Sequence, residues 1–378
     1  MGGAFGHMPH PFDLEKVKSG VGLINLFKSI ENDINNKKTD DFNVKIDGSN
    51  LSFKLVNNQF AVDRGTQKPI DVEGITINRI HERYDPSFRV YADIEKLLLV
   101  LNSAYYDILP ELNKLGMVND NTIFLNTEFV SSTNVIDYKF DFIAIHGVCQ
   151  FYEKWKRVKG GKFIKTRNGI FNPKGKVKAV SREINYSHDT LMLLIKKLNV
   201  HAEKVGLKVF GPIPARFKEN ASIEKALETT LTIPTDYDTE FLSSNNGNTI
   251  KGWLRSIHRL PAYYSIKDKK YDTFYENLEG KKVNPYHKKT YVNIVEDGIP
   301  ISSLITKDNI DSMAAGIIIL HSTRLLGQAI IEALSSEIGD VASHEGIVIR
   351  NKEYGPYPFK LTGDYIVKGM FGTVARAK

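Results

Sequence analysis

The segment Lys45-Ile-Asp-Gly-Ser-Asn-Leu-Ser-Phe sets an amine ahead of an Asp-Gly turn and an alternating run. An amine at the end of a strand can be held rigidly over a pocket, and Gly48 permits close backbone approach to a ligand. A lysine becomes a nucleophile where desolvation or neighbouring cations favour its neutral form. Nineteen residues on, Phe60-Ala-Val-Asp-Arg64-Gly offers a guanidinium after a strand, suited to a phosphate or a ribose. Leu125-Asn-Thr-Glu128-Phe-Val embeds a carboxylate in an apolar run, where it is costly unless it is paired or functional. Glu345-Gly-Ile-Val-Ile and Phe359-Lys360-Leu place a carboxylate and an amine 15 residues apart in what read as adjacent strands. Taken singly, each has a plainer reading: a lysine before a turn, a surface arginine, an outward-facing glutamate, a charged hairpin.

A different chemistry is suggested by Lys154 to Lys178. Ten Lys or Arg and no Asp or Glu fall within these 25 residues. Lys154, Trp155, Lys156, Arg157, Lys159, Lys162, Lys165 and Arg167 form its first part. Cations interleaved with Trp155, Phe163 and Phe171 suit a nucleic-acid strand, phosphates on the charges and bases on the rings. The plainer reading is a flexible basic hairpin.

Elements that could position these residues follow from periodicity. Helical spacing runs over residues 13–36, 92–115, 188–205 and 308–337. Residues 42–62 read as a hairpin turning at Asn57-Asn58. Strands are expected across 122–152, then at Gly346-Ile-Val-Ile, Phe359-Lys-Leu and Tyr365-Ile-Val. Residues 231–300, rich in Asn, Asp, Gly, Lys and Tyr, read as long loops. Strands, a largely helical middle and strands again indicate a β-rich α+β chain carrying an insertion.

In this order, Lys45-x-Asp-Gly, Arg64, the Glu128-Phe-Val strand, Glu345-Gly-Ile-Val-Ile and the Phe359-Lys360 strand resemble the motif set of the covalent nucleotidyltransferases, which include DNA ligases, RNA ligases and capping enzymes. Glu128-Phe-Val-Ser-Ser-Thr-Asn-Val-Ile-Asp-Tyr and Pro358-Phe-Lys-Leu-Thr-Gly-Asp-Tyr-Ile-Val are most similar to phage-type ATP-dependent RNA ligases of the T4 RNA ligase 1 kind. The resemblance covers roughly residues 40–150 and 340–370. It implies an adenylylation domain of antiparallel sheets with helices, over 1–153 and 338–378, and an inserted basic, mainly helical region over 154–337. It implies ATP and Mg2+ as cofactors, with Lys45 forming a lysyl-AMP, Asp47 orienting it, and Gly48 lining the nucleotide site. Arg64 and Glu128 match nucleotide contacts, Phe142 an adenine-stacking ring (Phe140 alternates onto the same face), Glu345 the metal-associated carboxylate, and Lys360 an α-phosphate contact. Where the family has a second lysine in its last motif, this chain has Thr362.

Whole-chain properties bound this reading. A net charge of +7 and a pI of about 9.0 favour a polyanionic partner. The single cysteine, Cys149, excludes a disulfide framework and a Cys-rich zinc site. Apolar runs are too short to span a bilayer, and the N-terminus lacks a signal-peptide pattern, so a soluble protein of the cytoplasm (the host's, if phage-encoded) is expected. Eighteen residues follow Lys360, too few for the OB domain of DNA ligases and capping enzymes. That favours RNA, or another single-stranded or nicked nucleic acid, as the partner, and leaves protein partners unknown. Three other readings stay open: a DNA nick ligase, a nucleic-acid-binding or virion-associated protein without catalysis, and an enzyme adenylylating another acceptor.

Overall fold

A computed structural model describes residues 8–14, 16–63, 70, 73–131, 138, 140–153, 155–157, 163–165, 180–219, 221–230, 310–335, 345–351, 353–354 and 358–363. The third expected C-terminal strand, at Tyr365, and the expected loops over 231–300 lie outside these residues. The protein is a mixed α+β fold of antiparallel sheets and several helices. It divides into two compact units: Met1–Met8, Ile46–Pro214 and Glu337–His344 in the first, and Pro9–Lys45, Ala215–Ser336 and Glu345–Lys378 in the second.

The first unit is built on a seven-stranded sheet. Its strands are β2 (Ser49–Asn50), β3 (Ser52–Val56), β4 (Gln59–Asp63), β5 (Ile123–Val130), β6 (Phe142–Glu153), β9 (Val180–Glu183) and β10 (Lys208–Phe210). β3 and β4 form a hairpin whose turn residues, Asn57 and Asn58, have φ of 51° and 60°. Asparagine tolerates this left-handed backbone better than other side chains, and two such residues give the hairpin turn that matches strand twist. The expected hairpin is therefore shorter than 42–62, because β1 (Phe42–Lys45) pairs elsewhere. β6 carries antiparallel β5 and β9, and parallel β10. Residues Val180–Glu183 and Lys208–Phe210, which the sequence pattern groups with the middle of the chain, thus extend this sheet.

One sheet face supplies Leu51, Phe53, Leu55, Leu125, Ile143 and Ile145 to a core shared with α2 (Arg89–Lys114) and α3 (His188–Glu203). Both helices carry apolar side chains at i, i+3, i+4 and i+7, so each has a stripe to bury. α3 begins where Ser187 Oγ accepts from Thr190 N–H at 3.2 Å. A short two-stranded ribbon, β7 (Trp155–Arg157) with β8 (Phe163–Lys165), completes the described part of this unit.

The second unit centres on a three-stranded antiparallel sheet, ordered β1, β11 (Gly346–Ile349), β12 (Phe359–Thr362). Alternation puts Phe42, Val44, Ile347, Ile349, Phe359 and Leu361 on one face, all buried. Helix α1 (Gly20–Asn35) starts with Ser19 Oγ accepting from Gly22 N–H at 3.1 Å. That cap ends the helical run at residue 20, so Leu14 and Val17 are buried but lie before the helix. α4 (Glu224–Thr230) and α5 (Ile310–Ala333) pack together, and α5 also packs on β11 and β12. The α5–β12 approach is close: a Cβ added to Gly327 would come within 2.5 Å of the Thr362 carbonyl oxygen.

Candidate functional site

The candidate residues fall into two groups, one in each unit. In the second unit, strand pairing does the positioning. β1 and β11 align Lys45 with Gly346 and Asn43 with Val348. β11 and β12 align Gly346 with Thr362 and Val348 with Lys360. Cross-strand partners share a face, and so do residues two apart. Lys45, Thr362 and Lys360 therefore lie on one face, opposite the apolar one. At the end of the ladder, Glu345 N–H donates to Lys45 O at 3.1 Å, and Gly363 N–H donates to Glu345 O at 3.2 Å. Three strand ends distant in sequence are thereby tied into one row.

The Lys45 ammonium donates to the Glu345 carboxylate across 300 residues of sequence. The pair is largely shielded: 16% of the Lys45 side chain and 7% of the Glu345 side chain are exposed. Low solvent access strengthens such a pair relative to water. Lys360 is half-buried in β12, and its N–H donates to Pro9 O at 2.9 Å. Thr362 is 3% exposed, so this face carries a buried hydroxyl where the family pattern has an amine.

In the first unit, Gly48 packs against β5. A Cβ there would lie 2.9 Å from Phe129 O and 3.2 Å from the Glu128 Cβ. The close approach that needs glycine is to this strand. Asp47 N–H donates to the Tyr138 hydroxyl at 3.1 Å. Glu128 sits across from Asn50 on one side and Ala144 on the other. His146, two residues beyond Ala144, reaches Glu128 at 3.6 Å. Asn50 donates to Asn126 at 3.1 Å, and Ser52 donates to Asn50 at 3.2 Å. A band of amide, hydroxyl, imidazole and carboxylate groups thus lines the face of this sheet that α2 and α3 do not cover. Lys54 is 2% exposed on the same strand as Ser52, and its ammonium donates to Asn121 O at 2.7 Å.

Phe142 lies on the Glu128 face of β6 but is fully buried. Tyr138, Phe140 and Phe210 surround it, with ring centroids at 5.3, 5.8 and 5.3 Å. A base could stack on Phe142 only after one of these rings moved. Phe140 is half-buried, with the Lys208 ammonium 4.3 Å from its centroid.

Arg64, Lys154, Lys159, Lys162 and Arg167 lie outside the described residues. Trp155, Lys156 and Arg157 fall in β7 and Lys165 in β8, where backbone pairing alone is described. Sequence reading overlooked His146, although alternation from Phe142 through Ala144 puts it on the Glu128 face. It also overlooked Arg324 of α5, which donates to Gly363 O. No sequence signal marks Arg324, because helix packing brings it there.

Among the described residues, no three His, Cys, Asp or Glu side chains gather to cage a metal ion. Magnesium commonly takes one or two carboxylates and completes its shell with water and phosphate oxygens. Glu345 fits that use, and amines on the adjacent sheet face fit a polyphosphate. No helix among the described residues is long and apolar enough to cross a membrane. Comparison with protein-family models, curated proteins and solved structures found no match.

Proposed function

We propose that the protein is an ATP-dependent polynucleotide ligase acting through a lysyl-AMP on Lys45, with RNA the favoured substrate. The observation carrying this reading is the shielded Lys45–Glu345 pair, with Lys360 on the same sheet face as Lys45. Three motifs whose order in the sequence resembles that of covalent nucleotidyltransferases thereby occupy adjacent strands.

In its ion pair Lys45 is an ammonium and has no lone pair, so the pair must open and Nζ must lose a proton before attack. Neutral Nζ, its proton passed to water, then bonds to the α-phosphorus of ATP and gives up a second proton to water, while the bond from that phosphorus to the bridging oxygen breaks, releasing pyrophosphate. Lys360 would hold a nonbridging α-phosphate oxygen as negative charge shifts toward the leaving group. Magnesium held by Glu345 would supply further neutralisation of the polyphosphate. The AMP passes next to a 5′-phosphate, and a 3′-hydroxyl displaces it to seal the strand. Roles for Asp47, Gly48, Arg64, Glu128 and Phe142 rest on the resemblance. The basic run from Lys154 supports a nucleic-acid acceptor through charge and aromatic content.

The test is covalent labelling by ATP radiolabelled at the α-phosphate, read on a denaturing gel with magnesium present. Wild type should retain label, and Lys45→Ala should abolish it. Wild type that takes no label under varied divalent ions would overturn the reading. The second reading, a nucleic-acid-binding protein without transfer, is favoured by the buried Thr362, and it expects RNA binding with no label.

A further inference from the structure

The face of the three-stranded sheet that carries Lys45 and Lys360 holds a third cation. Arg350 follows β11 directly, and its N–H donates to Asp41 O at 3.0 Å, so the pairing of β1 with β11 continues past Ile349. Its side chain turns back along the sheet, where Nη1 donates to Asn43 Oδ1 at 2.7 Å. Asn43 lies two residues from Lys45 on β1 and aligns with Val348, which aligns with Lys360 on its other side. Cross-strand partners and residues two apart share a face, so the bond to Asn43 holds the Arg350 guanidinium on the face of Lys45 and Lys360. Adjacent strands are about 4.8 Å apart and two residues advance about 6.7 Å, which puts the Arg350 and Lys360 α-carbons about 8 Å apart. Two long side chains can converge on one anion across that gap. Val348, between them, is 8% exposed, and Asn43, Lys45, Arg350 and Lys360 are all half-buried. The acids next to these strands are Glu345, which pairs with Lys45, and Asp41, which is exposed at the outer edge.

We propose that Arg350 and Lys360 together cradle the phosphates of the nucleotide, with Arg350 on the leaving pyrophosphate. The inference rests on the ligase reading for the identity of the anion. A guanidinium carries five N–H donors in a planar fork, so it can hold an amide oxygen and a phosphate at once, and the bond to Asn43 orients that fork. The order along the sheet fits displacement at the α-phosphorus. Lys45 stands at the Gly346 end of β11, Asn43 and Lys360 flank its middle, and Arg350 comes from the far end. Attacking and leaving groups lie roughly in line on opposite sides of the phosphorus. With Lys45 as nucleophile and Lys360 on the α-phosphate, the departing oxygens point toward Arg350. Arginine stays protonated at any physiological pH, so it can stabilise the charge gained by pyrophosphate while Lys45 gives up its protons.

The test uses full-length wild type, Arg350→Gln, Arg350→Lys and Asn43→Ala. Calorimetry without divalent metal reads affinity for inorganic pyrophosphate and for AMP, and thermal unfolding reads the fold. Arg350→Gln should bind pyrophosphate at least about tenfold more weakly, while its AMP affinity stays within about threefold of wild type, because AMP lacks the leaving group. Its label transfer from ATP, with magnesium present, should slow about 10- to 100-fold. Asn43→Ala removes the anchor and keeps the guanidinium, so it should weaken pyrophosphate binding less than Arg350→Gln does. Wild type that binds no pyrophosphate overturns the proposal. So does wild-type pyrophosphate affinity in Arg350→Gln, or an equal loss for AMP and pyrophosphate. Equal loss in Asn43→Ala and Arg350→Gln also overturns it, since Arg350 would then be a clamp between β1 and β11. If Arg350→Gln unfolds, Arg350→Lys decides: pyrophosphate binding within about fivefold of wild type supports the proposal, and weaker binding overturns it. If wild type takes no label from ATP, the ligase reading fails by itself, and pyrophosphate binding still decides the role of Arg350.

Discussion

Gly48 shows how a residue chosen for one chemical reason can be required for another. In sequence it stands in a Lys-x-Asp-Gly motif, where glycine suggests space for a ligand. In the fold its α-carbon faces β5, and a methyl group there would press on Phe129 O at 2.9 Å. Gly48→Ala should therefore destabilise the protein by about 1–3 kcal/mol, the usual cost of forcing an extra carbon into a packed contact. Urea unfolding measures it. An unchanged midpoint with slower labelling by ATP would point instead to a ligand beside Gly48. Lys45 makes the opposite case. Its motif is weak by itself, and its 300-residue pairing with Glu345 gives it a defined environment. Arg324 has no motif and takes its place from the hydrogen bond to Gly363.

At the scale of elements, the helix pair α2 and α3 carries a polar seam beside its apolar one. Lys197 donates to Glu111 at 2.7 Å and to Asp107 O at 2.9 Å, while His201 contacts Asp107 at 2.8 Å and Ser103 at 3.1 Å. Glu111 is 3% exposed. Lys197→Met leaves that carboxylate without its ammonium and should cost about 1–3 kcal/mol. Replacing both partners, with Glu111→Leu and Lys197→Met together, should recover part of the loss, because two apolar groups need no desolvation of charge. Chemical denaturation of the three variants checks this, and a double variant weaker than the sum of the singles would contradict it. The strands were legible from alternation. Their partners were not: β1 reads as the first arm of a hairpin and pairs instead with β11, from the far end of the chain.

For the whole molecule, the charge of +7 is concentrated rather than uniform, since Lys154 to Lys178 holds ten cations and no acid. Under the proposed function, binding of single-stranded RNA should weaken steeply as salt rises, each neutralised phosphate contributing about −0.7 to the slope of log affinity against log salt. Changing Lys154, Lys156 and Arg157 to Gln should flatten that slope by about 2. Fluorescence anisotropy with a labelled single strand reads the slope. An unaltered slope would place the RNA contacts elsewhere.

The sequence by itself determined what depends on local spacing. Helical stripes marked α2 and α3, period-two runs marked β3 to β6, and Asn57-Asn58 marked a turn. Motif order picked out Lys45, Glu345 and Lys360 as a set. Tertiary structure decided what depends on register and packing. β1, β11 and β12 could have paired in several ways, and backbone hydrogen bonds chose the row that joins Lys45 to Glu345 and Gly363. The burial of Phe142 among three other rings, the nearness of His146 to Glu128 and the hydrogen bond from Arg324 to Gly363 depend on strand pairing or on atoms far apart in the chain. Sequence spacing carries no distance information of that kind, because a chain fixes its distant contacts only when its apolar faces find one another.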